Sequence, residues 1–549
     1  MSPLLLTVFL CALVACLFKF MRSRPPMFPP VTSRTHHRSG PPRLPVVGGY
    51  LHLLAYNYRY TYKGLVTMSA RYKSPVLGMY VGSDPTVITT DFASTRELLL
   101  KPEFQGRPDL YGARLRSFNE LLGLFFVEGS FWAEQRRFSL RHLRDYGFGR
   151  RFAKLEAAVE DEIRTLMEVI RNPVGSEKVR NRVEWLLELV RGTRGEVRQV
   201  LLPDVLYAGF TNLLLETLTG ERLPRGRHHT LRSLSRAVRM FQRHVEPSGG
   251  LLNIAPWLRH LAPRASGYRG FVAGNDGVLD FIQEELLSRQ LSSFDPEVMR
   301  GFIDVYWSEM LRRGAGGAGG GDDKFTEKQL TMVLLDLVFP SATVPPVTVA
   351  MALAYLVRHP EKAERAHQEI VAVVGRGRLP TLDDRPCLPY TEAIVREVLR
   401  LETNTVLSVT HRCTEDTVFR GYFIPKGTLL IPNIWAANRD PTVFEKGDQF
   451  VPERFIEPRT GMLKKKDESM AFGLGEPPHS TASVQVQPGR RLCAGETFSR
   501  QNMFLFLGAL LQNFVFDLGD DGYLPSEDDM VPGILVTPKS FWLRVTERP

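Results

Sequence analysis

A helical spacing of apolar residues dominates the chain from about residue 92 to residue 400. Apolar side chains recur at three- and four-residue steps, for example over Val278–Leu291, and this spacing predicts amphipathic helices packed on a core. Strand-like patterns are short: 75–91 predicts a hairpin, and β-rich pieces return over 401–436. Because neither a repeat nor a break in composition interrupts it, 46–549 is predicted to form one mainly α domain with small β-sheets.

Composition excludes several classes of protein. Of 549 residues, 43% are hydrophobic and 24% are charged, which is too apolar for a disordered chain. A mean hydropathy of -0.14 excludes a polytopic membrane protein, and the five cysteines have no paired spacing that would indicate a disulfide framework. The net charge of +10 suits nucleic acid, an anionic membrane or an acidic protein partner, and the positions of the basic residues favour the last two.

The chain begins with an apolar run from Leu4 to Phe18 that basic residues follow. Extended to Met21 the run has 18 residues, or about 27 Å of helix, which is enough to cross a thin bilayer. Since the positive charges follow the run and no small-x-small cleavage site does, we favour a retained anchor, 1–21, over a cleaved signal peptide. No acidic residue precedes Asp84, so the positive-inside rule places the body in the cytosol.

Residues 22–45 are basic and rich in proline. Proline fixes φ and resists helix formation, so this segment is predicted to be a semi-rigid hinge between anchor and body. A disordered linker is the alternative, and the composition fits both.

Cys493 has the setting of a reactive cysteine. It stands in PGRRLCAGETFSRQNMFLFLGALLQNF, just before a predicted helix over Glu496–Phe514, and a helix amino terminus stabilises a thiolate. Gly489 and Gly495 would let the backbone approach a flat ligand, and the Arg490-Arg491 pair suits an anionic group. The alternative is an inert buried cysteine, which is the commoner case.

Two further groups of residues have spacings that bring them together. Trp132 and Arg136 lie one helical turn apart, so an indole N–H and a guanidinium can address one acceptor. Glu397 and Arg400 share a helix face, and Arg454 in VPERF offers Glu397 a second guanidinium. For motifs this short, a solvated ion pair is the ordinary explanation.

Taken in order, these motifs resemble one protein family. Trp-x-x-x-Arg, Glu-x-x-Arg, Pro-Glu-Arg-Phe and Gly-x-Arg-x-Cys-x-Gly behind an anchor are similar to the microsomal cytochrome P450 family of haem-thiolate monooxygenases. The likeness runs from GPPRLPVVGGYLHLL to the carboxyl end, and RHLRDYGFGR resembles arthropod members of the clan that includes vertebrate family 2. The resemblance implies the cytochrome P450 fold, a single large helical domain behind an amino-terminal membrane anchor.

The resemblance also implies roles for individual residues. Cys493 matches the axial thiolate ligand of the iron in haem b, a ligand that favours O–O cleavage. Arg107 and His411 match two propionate contacts, although a core histidine explains His411 equally well. The residues that match the main propionate contacts are Trp132, Arg136 and Arg491. The residues that match a structural, non-catalytic triad are Glu397, Arg400 and Arg454.

The resemblance implies electrons from NADPH through a separate flavoprotein reductase, and the sequence has no Rossmann glycine fingerprint for an internal one. A basic run would offer an acidic reductase a docking surface, with a solvated helix face as the alternative. The run consists of Arg136, Arg137, Arg141, Arg144, Arg150 and Arg151.

The sequence departs from the family in its distal helix, which should carry Ala/Gly-Gly-x-Asp/Glu-Thr-Thr for proton delivery. The segment reads LLDLVFPSATVPPVTVAMALAYLVRHPE, and ungapped alignment puts Thr343 at the acid and Val344 at the relay threonine. Three prolines inside this helix each remove an N–H, which favours a bulge and frees backbone carbonyls. Our hypothesis is that ordered water on these carbonyls, with Ser341 or Thr343, replaces the usual relay.

A second departure lies just before Cys493. The family places a phenylalanine seven residues before the cysteine, whereas Phe472 precedes Cys493 by 21. The extra segment, 476–489, is polar and contains proline. It is either a real loop, which would put haem incorporation in doubt, or a retained intron fragment of 42 nucleotides, which we favour.

The expected protein is a monooxygenase anchored in the endoplasmic reticulum, with its catalytic domain in the cytosol. It would insert one oxygen atom of O2 into a small hydrophobic substrate, a lipid or hormone-like molecule being favoured over a foreign chemical. A haem-thiolate isomerase or dehydratase that needs no O2, and a non-catalytic haem protein, remain alternatives. The candidate pocket walls, for each of which packing in the core is the alternative, are Phe125-Phe126, Phe210–Leu215, Val338-Phe339 and Val406-Leu407.

Overall fold

The computed structural model describes residues 14–21, 41–172, 186, 188–192, 198–224, 227–246, 250–315, 324–474 and 491–549. Most of the predicted anchor and hinge, and the whole 476–489 segment with Gly489 and Arg490, lie outside these residues. Residues 14–21, the described end of the predicted anchor, are helical and expose Val14, Leu17 and Phe18.

Helices form most of the described body, as the apolar spacing predicts. The α-helices are Tyr50–Tyr56, Thr61–Tyr72, Phe92–Leu100, Tyr111–Leu115, Gly129–Asp145, Ala153–Arg171, Tyr207–Thr219, His228–His244, Gly250–Ile254, Leu258–Leu261, Tyr268–Phe281, Ser288–Ser292, Phe302–Ala315, Glu327–Ser341, Val344–Arg358, Pro360–Val374, Pro389–Leu401, Ile434–Ala437 and Glu496–Asn513. A π-helical turn, Ile282–Leu287, continues Tyr268–Phe281. Short 3-10 turns cover Pro102–Phe104, Asp204–Leu206, Arg385–Cys387 and Pro452–Phe455.

Small sheets lie at the edges of the helical body. The strands are β1 Val76–Val81, β2 Asp84–Thr89, β3 Val190–Arg191, β4 Arg198–Leu202, β5 His411–Arg412, β6 Thr417–Phe419, β7 Tyr422–Ile424, β8 Leu429–Pro432, β9 Phe514–Leu518 and β10 Phe541–Glu547. The predicted hairpin is confirmed as β1–β2, and the first sheet has the order β1-β2-β8-β5. A second sheet, β3-β4-β10-β9, and the pair β6-β7 complete the set.

The core forms around the helix Glu496–Asn513, which we call the cysteine helix. It is apolar on nearly every side and is therefore buried, as expected for a helix without a polar face. The ring of Phe210 stacks on that of Phe506 with centroids 4.3 Å apart. Phe210–Leu215 accordingly packs in the core and does not line the cavity described below, so its prediction as a wall of that cavity is wrong.

The apolar helix predicted over the distal motif is broken in two. Its halves are Glu327–Ser341 and Val344–Arg358, here called the broken helix, and Thr343 lies between them with φ −125° and ψ −49°. Because the second half begins at Val344, Pro345-Pro346 falls in its first turn, where a missing N–H breaks no helical hydrogen bond. The sequence favours a bulge, and the structure has a two-residue interruption at Ala342 and Thr343.

Among the described residues, one helical stretch, 327–358, is long and apolar enough to cross a membrane. It consists of the two halves of the broken helix, and 83% of its apolar window is buried inside the protein. Such burial is typical of a core helix.

A buried charge network joins the helix Pro389–Leu401 to the loop that follows β8. The Glu397 carboxylate accepts hydrogen bonds from Arg400 Nε at 2.8 Å, from Arg454 Nε at 3.1 Å and from the Val451 amide at 2.8 Å. The Arg400 side chain is fully buried and also donates to the carbonyls of Asn438 and Gly447. The structure thus brings the three predicted triad residues together.

Glu397→Gln is expected to lower the free energy of unfolding by about 3 kcal/mol or more, because it leaves buried guanidiniums without a counter-charge. Urea unfolding followed by circular dichroism would measure the loss. The control is Glu160→Gln in the exposed pair with Arg164, for which a change within about 0.5 kcal/mol is expected. Equal losses in the two variants would contradict a special role for the buried network.

Candidate active site

An internal cavity of about 330 Å³ lies between the broken helix and the start of the cysteine helix. Most of its wall is apolar: Leu99, Leu110, Ala113, Leu124, Phe125, Phe126, Phe241, Phe271, Leu335, Phe339, Val344, Ile434, Phe472 and Leu535. The predicted wall residues Phe125, Phe126 and Phe339 are among them. Val338 and Val406-Leu407 are buried in the core instead, so those pocket assignments are wrong.

Cys493 faces this cavity. Its side chain is accessible although it lies deep in the protein, because the surface that it exposes is the cavity wall. Burial raises the pKa of the thiol, while the N–H groups of Gly495 and Glu496 and the guanidinium of Arg136 act in the opposite direction. The N–H groups at the helix amino terminus thus lower the pKa of the thiol as predicted, but burial raises this pKa by more.

Main-chain hydrogen bonds connect Cys493 to the residues on the other side of the extra segment. The Cys493 amide donates to the Phe472 carbonyl at 3.0 Å, and both residues line the cavity. The Gly473 amide in turn donates to the Met470 carbonyl at 2.9 Å. The chain on the two sides of the extra segment is thus joined by a hydrogen bond beside the cysteine.

Three guanidiniums converge on one side of the cavity. Arg107 donates to the carbonyls of Phe125, Val409 and Thr410, and Arg491 donates to those of Gln105 and Val127. Burial and the neighbouring cations lower the pKa of Arg107 and that of Arg491. Since guanidiniums stay protonated at neutral pH, this mutual repulsion marks a place where an anion would be stabilised.

Arg136 belongs to the same cluster. It comes from the helix Gly129–Asp145, lies largely buried, and donates to the Leu492 carbonyl, one residue before the cysteine. Burial lowers the pKa of Arg136, and the neighbouring Cys493 opposes that shift. A guanidinium tied to the cysteine loop is well placed to bind an anionic group next to Cys493.

Trp132 and His411 complete the polar side of the cavity. Trp132 is 6% exposed, its Nε1–H is buried with no acceptor in the described protein, and the Arg491 guanidinium lies 3.8 Å from its ring centroid. His411 is fully buried, its Nδ1 is 2.7 Å from the Phe104 carbonyl, and burial places its pKa well below the ordinary value. All five predicted propionate-binding residues therefore line one cavity.

The structure places the two predicted relay hydroxyls, those of Ser341 and Thr343, in different surroundings. Ser341 and Val344 line the cavity, whereas Thr343 is 1% exposed and is absent from the described lining. Its Oγ1 accepts a hydrogen bond from Gln242 Nε2 at 2.9 Å. The structure thus directs Ser341 to the cavity and ties Thr343 to the helix His228–His244.

The basic run from 136 to 151 lies beside the cysteine helix. Phe148 stacks on Phe498 with ring centroids 5.0 Å apart, so this run ends against the first turn of that helix. Arg136 points inward, and Arg151 is paired with Glu156 and Asp383. The members of the run that are exposed are Arg137, Arg141, Arg144, Arg150 and Arg151.

Sequence reasoning missed two charged pairs at this site. Arg116 pairs with Asp336 of the broken helix, and both side chains are almost fully buried. Glu128 accepts from the Arg107 amide at 2.6 Å and from the Arg412 guanidinium. A signal for the first pair was present, because Asp336 is the one acidic residue in the apolar stretch from 328 to 358.

Comparison with known proteins identifies the family. The family model described as cytochrome P450 matches residues 39–545. The chain belongs to the cytochrome P450 family. Its relatives include farnesoate epoxidase of Bombyx mori, 28% identical over 93% of this chain and 94% of that protein. The probable cytochrome P450 303a1 of Drosophila melanogaster is 29% identical over 95% and 94%, and cytochrome P450 2E1 of Bos taurus is 30% identical over 86% of each chain.

Family membership makes the protein an oxidoreductase of the monooxygenase type. It also implies haem iron, electrons supplied by a reductase and a hydrophobic substrate. The described site fits haem, since an accessible thiol and a convergent cluster of cations occupy one apolar cavity. The relatives do not favour the isomerase or dehydratase alternative.

If Trp132 binds a haem propionate as the sequence predicts, Trp132→Phe should make haem loss about tenfold faster, because it keeps the ring beneath Arg491 but removes the N–H that would donate to the carboxylate. Haem transfer to apomyoglobin, followed in the visible spectrum, measures the rate. Trp542→Phe is the control, since Trp542 also has a guanidinium over its ring, that of Arg191 at 3.9 Å, but lies in β10 away from the cavity. Similar rates in both variants would argue against a role for the Trp132 N–H.

Proposed function

We propose that this protein is a haem-thiolate monooxygenase that inserts one oxygen atom of O2 into a small hydrophobic substrate. The observation that carries the proposal is the accessible Cys493 thiol in the wall of a cavity that also collects Arg107, Arg136 and Arg491. Cys493 would be the axial ligand of the iron of haem b. The propionates would be bound by Trp132, Arg136, Arg491, Arg107 and His411.

Thiolate-ligated haem supplies the activation of dioxygen. The protein's contribution is to hold the cofactor, exclude water and place a proton donor. Phe125, Phe126 and Phe339 give the cavity an apolar wall that excludes water and accepts a hydrophobic substrate. Glu397, Arg400 and Arg454 act structurally.

We assign the proton-donating hydroxyl to Ser341. It lies at the break in the distal helix and lines the cavity. Pro345 and Pro346 have no N–H to donate to the carbonyls of Ser341 and Ala342, so ordered water can bind there and connect to Ser341 Oγ. The tie between Thr343 and Gln242 makes Thr343 the weaker candidate.

Electrons would come from NADPH through NADPH–cytochrome P450 reductase. The exposed arginines of the basic run favour this partner, because they lie beside the first turn of the cysteine helix and would attract an acidic surface. We expect no nucleic-acid partner.

We further propose that residues 1–21 anchor the protein in the endoplasmic reticulum membrane, that 22–45 form the hinge and that 46–549 form the haem domain in the cytosol. The exposed apolar face of residues 14–21 supports an anchor. For the substrate, the relative named farnesoate epoxidase and the apolar cavity favour a lipid or hormone-like molecule.

Cys493→Ala is expected to abolish the red-shifted Soret band of the reduced, carbon-monoxide-treated protein, because no thiolate would remain on the iron. Cys387→Ala is the control, since Cys387 is exposed on a separate 3-10 turn. Turnover that requires NADPH and the reductase is the second readout. A band that survives Cys493→Ala would exclude the proposed ligand, and turnover without NADPH would indicate an isomerase or dehydratase.

Ser341→Ala is expected to raise the hydrogen peroxide released per NADPH severalfold, because protons would reach activated oxygen more slowly. Val344→Thr, which restores the usual hydroxyl, should lower that ratio. Thr343→Val should leave the ratio unchanged while lowering thermal stability, since buried Gln242 loses its acceptor. A coupling ratio that responds to Thr343→Val and not to Ser341→Ala would reverse the assignment.

A further inference from the structure

The cavity wall contains a buried cation, Arg116, that is not among the residues predicted to bind haem. Arg116 follows the short helix Tyr111–Leu115, and its side chain is 4% exposed. Its Nη2 donates to Asp336, but its Nε–H is buried with no acceptor in the described protein. Leaving such a donor unpaired is unfavourable, so a ligand that supplies an acceptor at this point is stabilised.

Asp336 is fully engaged as the anchor of Arg116. One carboxylate oxygen accepts from Arg116, and the other accepts from the amides of Leu124 at 2.5 Å and Phe125 at 3.0 Å. Gly123, at φ +87°, leaves room for this contact, because a Cβ there would lie 2.5 Å from the carboxylate. The carboxylate therefore positions Arg116 and is not itself free to bind a ligand.

The main chain of Arg116 is fixed as well. Its amide donates to the Gly112 carbonyl at 3.2 Å, and its carbonyl accepts from Asn275 Nδ2 at 3.3 Å. The guanidinium is thus held from two sides, by Asp336 and by its own backbone. A donor held in this way binds an acceptor at a small cost in side-chain entropy.

The surroundings of Arg116 are apolar. Its guanidinium carbon lies 5.3 Å from the centroid of the Phe126 ring, and Leu124, Phe271 and Phe339 also line this part of the cavity. A ligand next to Arg116 would therefore meet apolar side chains as well as the guanidinium. That pattern selects a molecule with an apolar body and one polar end.

We propose that Arg116 is a specificity-determining residue whose guanidinium donates a hydrogen bond to an uncharged carbonyl oxygen, that of an ester or a ketone, at one end of an apolar substrate. Asp336 already balances the charge of Arg116, so the pair offers a hydrogen-bond donor without net charge. A ligand carboxylate bound to Arg116 would lie close to the Asp336 carboxylate and would be repelled by it. This assignment rests on the proposed function, since it concerns the substrate of the same cavity.

The test uses the full-length, haem-loaded protein and three probes of equal chain length: methyl laurate, laurate and dodecane. Their dissociation constants are measured from ligand-induced changes in the Soret band. For each probe, the dissociation constant of the variant is divided by that of the wild type. The ratio for methyl laurate is then divided by the ratio for dodecane, so that errors from the low solubility of the hydrocarbon chain cancel. Arg116→Met with Asp336→Asn removes the donor without leaving a buried carboxylate unpaired.

In the double variant we expect methyl laurate to lose affinity about tenfold more than dodecane does. Arg116→Lys keeps a cation beside Asp336 but lacks Nε, and it should likewise lose more affinity for methyl laurate than for dodecane. This single variant replaces the double variant if the latter folds poorly. The control is Arg114→Met, because Arg114 is exposed and paired with Asp109. Wild type should prefer the ester to laurate.

The outcomes separate this proposal from the function on which it rests. Wild type without a red-shifted carbon-monoxide band would refute the proposed function. A normal band with equal losses for ester and dodecane would overturn the role of Arg116, and would mean that water satisfies its Nε–H. A preference for laurate that Arg116→Lys retains would overturn the assignment to an uncharged oxygen.

Discussion

The position of the cysteine depends on a buried carboxylate. Glu397 holds Arg400, Arg400 donates to the Asn438 carbonyl at 2.7 Å, and the Asn438 side chain accepts from the Met470 amide at 2.8 Å. Two residues after Met470, the Phe472 carbonyl accepts a hydrogen bond from the Cys493 amide. A buried ion pair adds little net stability, but this one fixes in space the chain that leads to the thiol. The triad thus supports the site although none of its three residues is among those that line the cavity.

Local spacing explains what could be predicted from the sequence. The helices, the β1–β2 hairpin and the pairs Trp132 with Arg136 and Glu397 with Arg400 all follow from residues a few positions apart, and the structure contains each of them. The gathering of Arg107, His411 and Cys493 in one cavity came from resemblance to a family, because no local rule joins residues so distant in sequence. Their predicted roles toward haem remain predictions.

What was missed is non-local. Arg116 and Asp336 are 220 positions apart, and the sheet β3-β4-β10-β9 pairs strands from distant parts of the chain. Some predicted pocket walls were wrong for a related reason. The sequence pattern of an apolar run such as Phe210–Leu215 is the same whether its side chains face a cavity or the core. The break at Thr343 was only partly foreseen, since the prolines indicate irregularity but not where the second half of the helix begins.

The hydrogen bond between Cys493 and Phe472 has a consequence for chain length. Because it closes the base of the intervening segment, the cost of a longer segment can be estimated from the entropy of closing a loop. Lengthening the spacing from seven residues to 21 costs about 1 kcal/mol on that scale. The proximal side of this fold is therefore a natural point for grafting peptide sequence, where an epitope or a tether could be displayed without moving the sulfur.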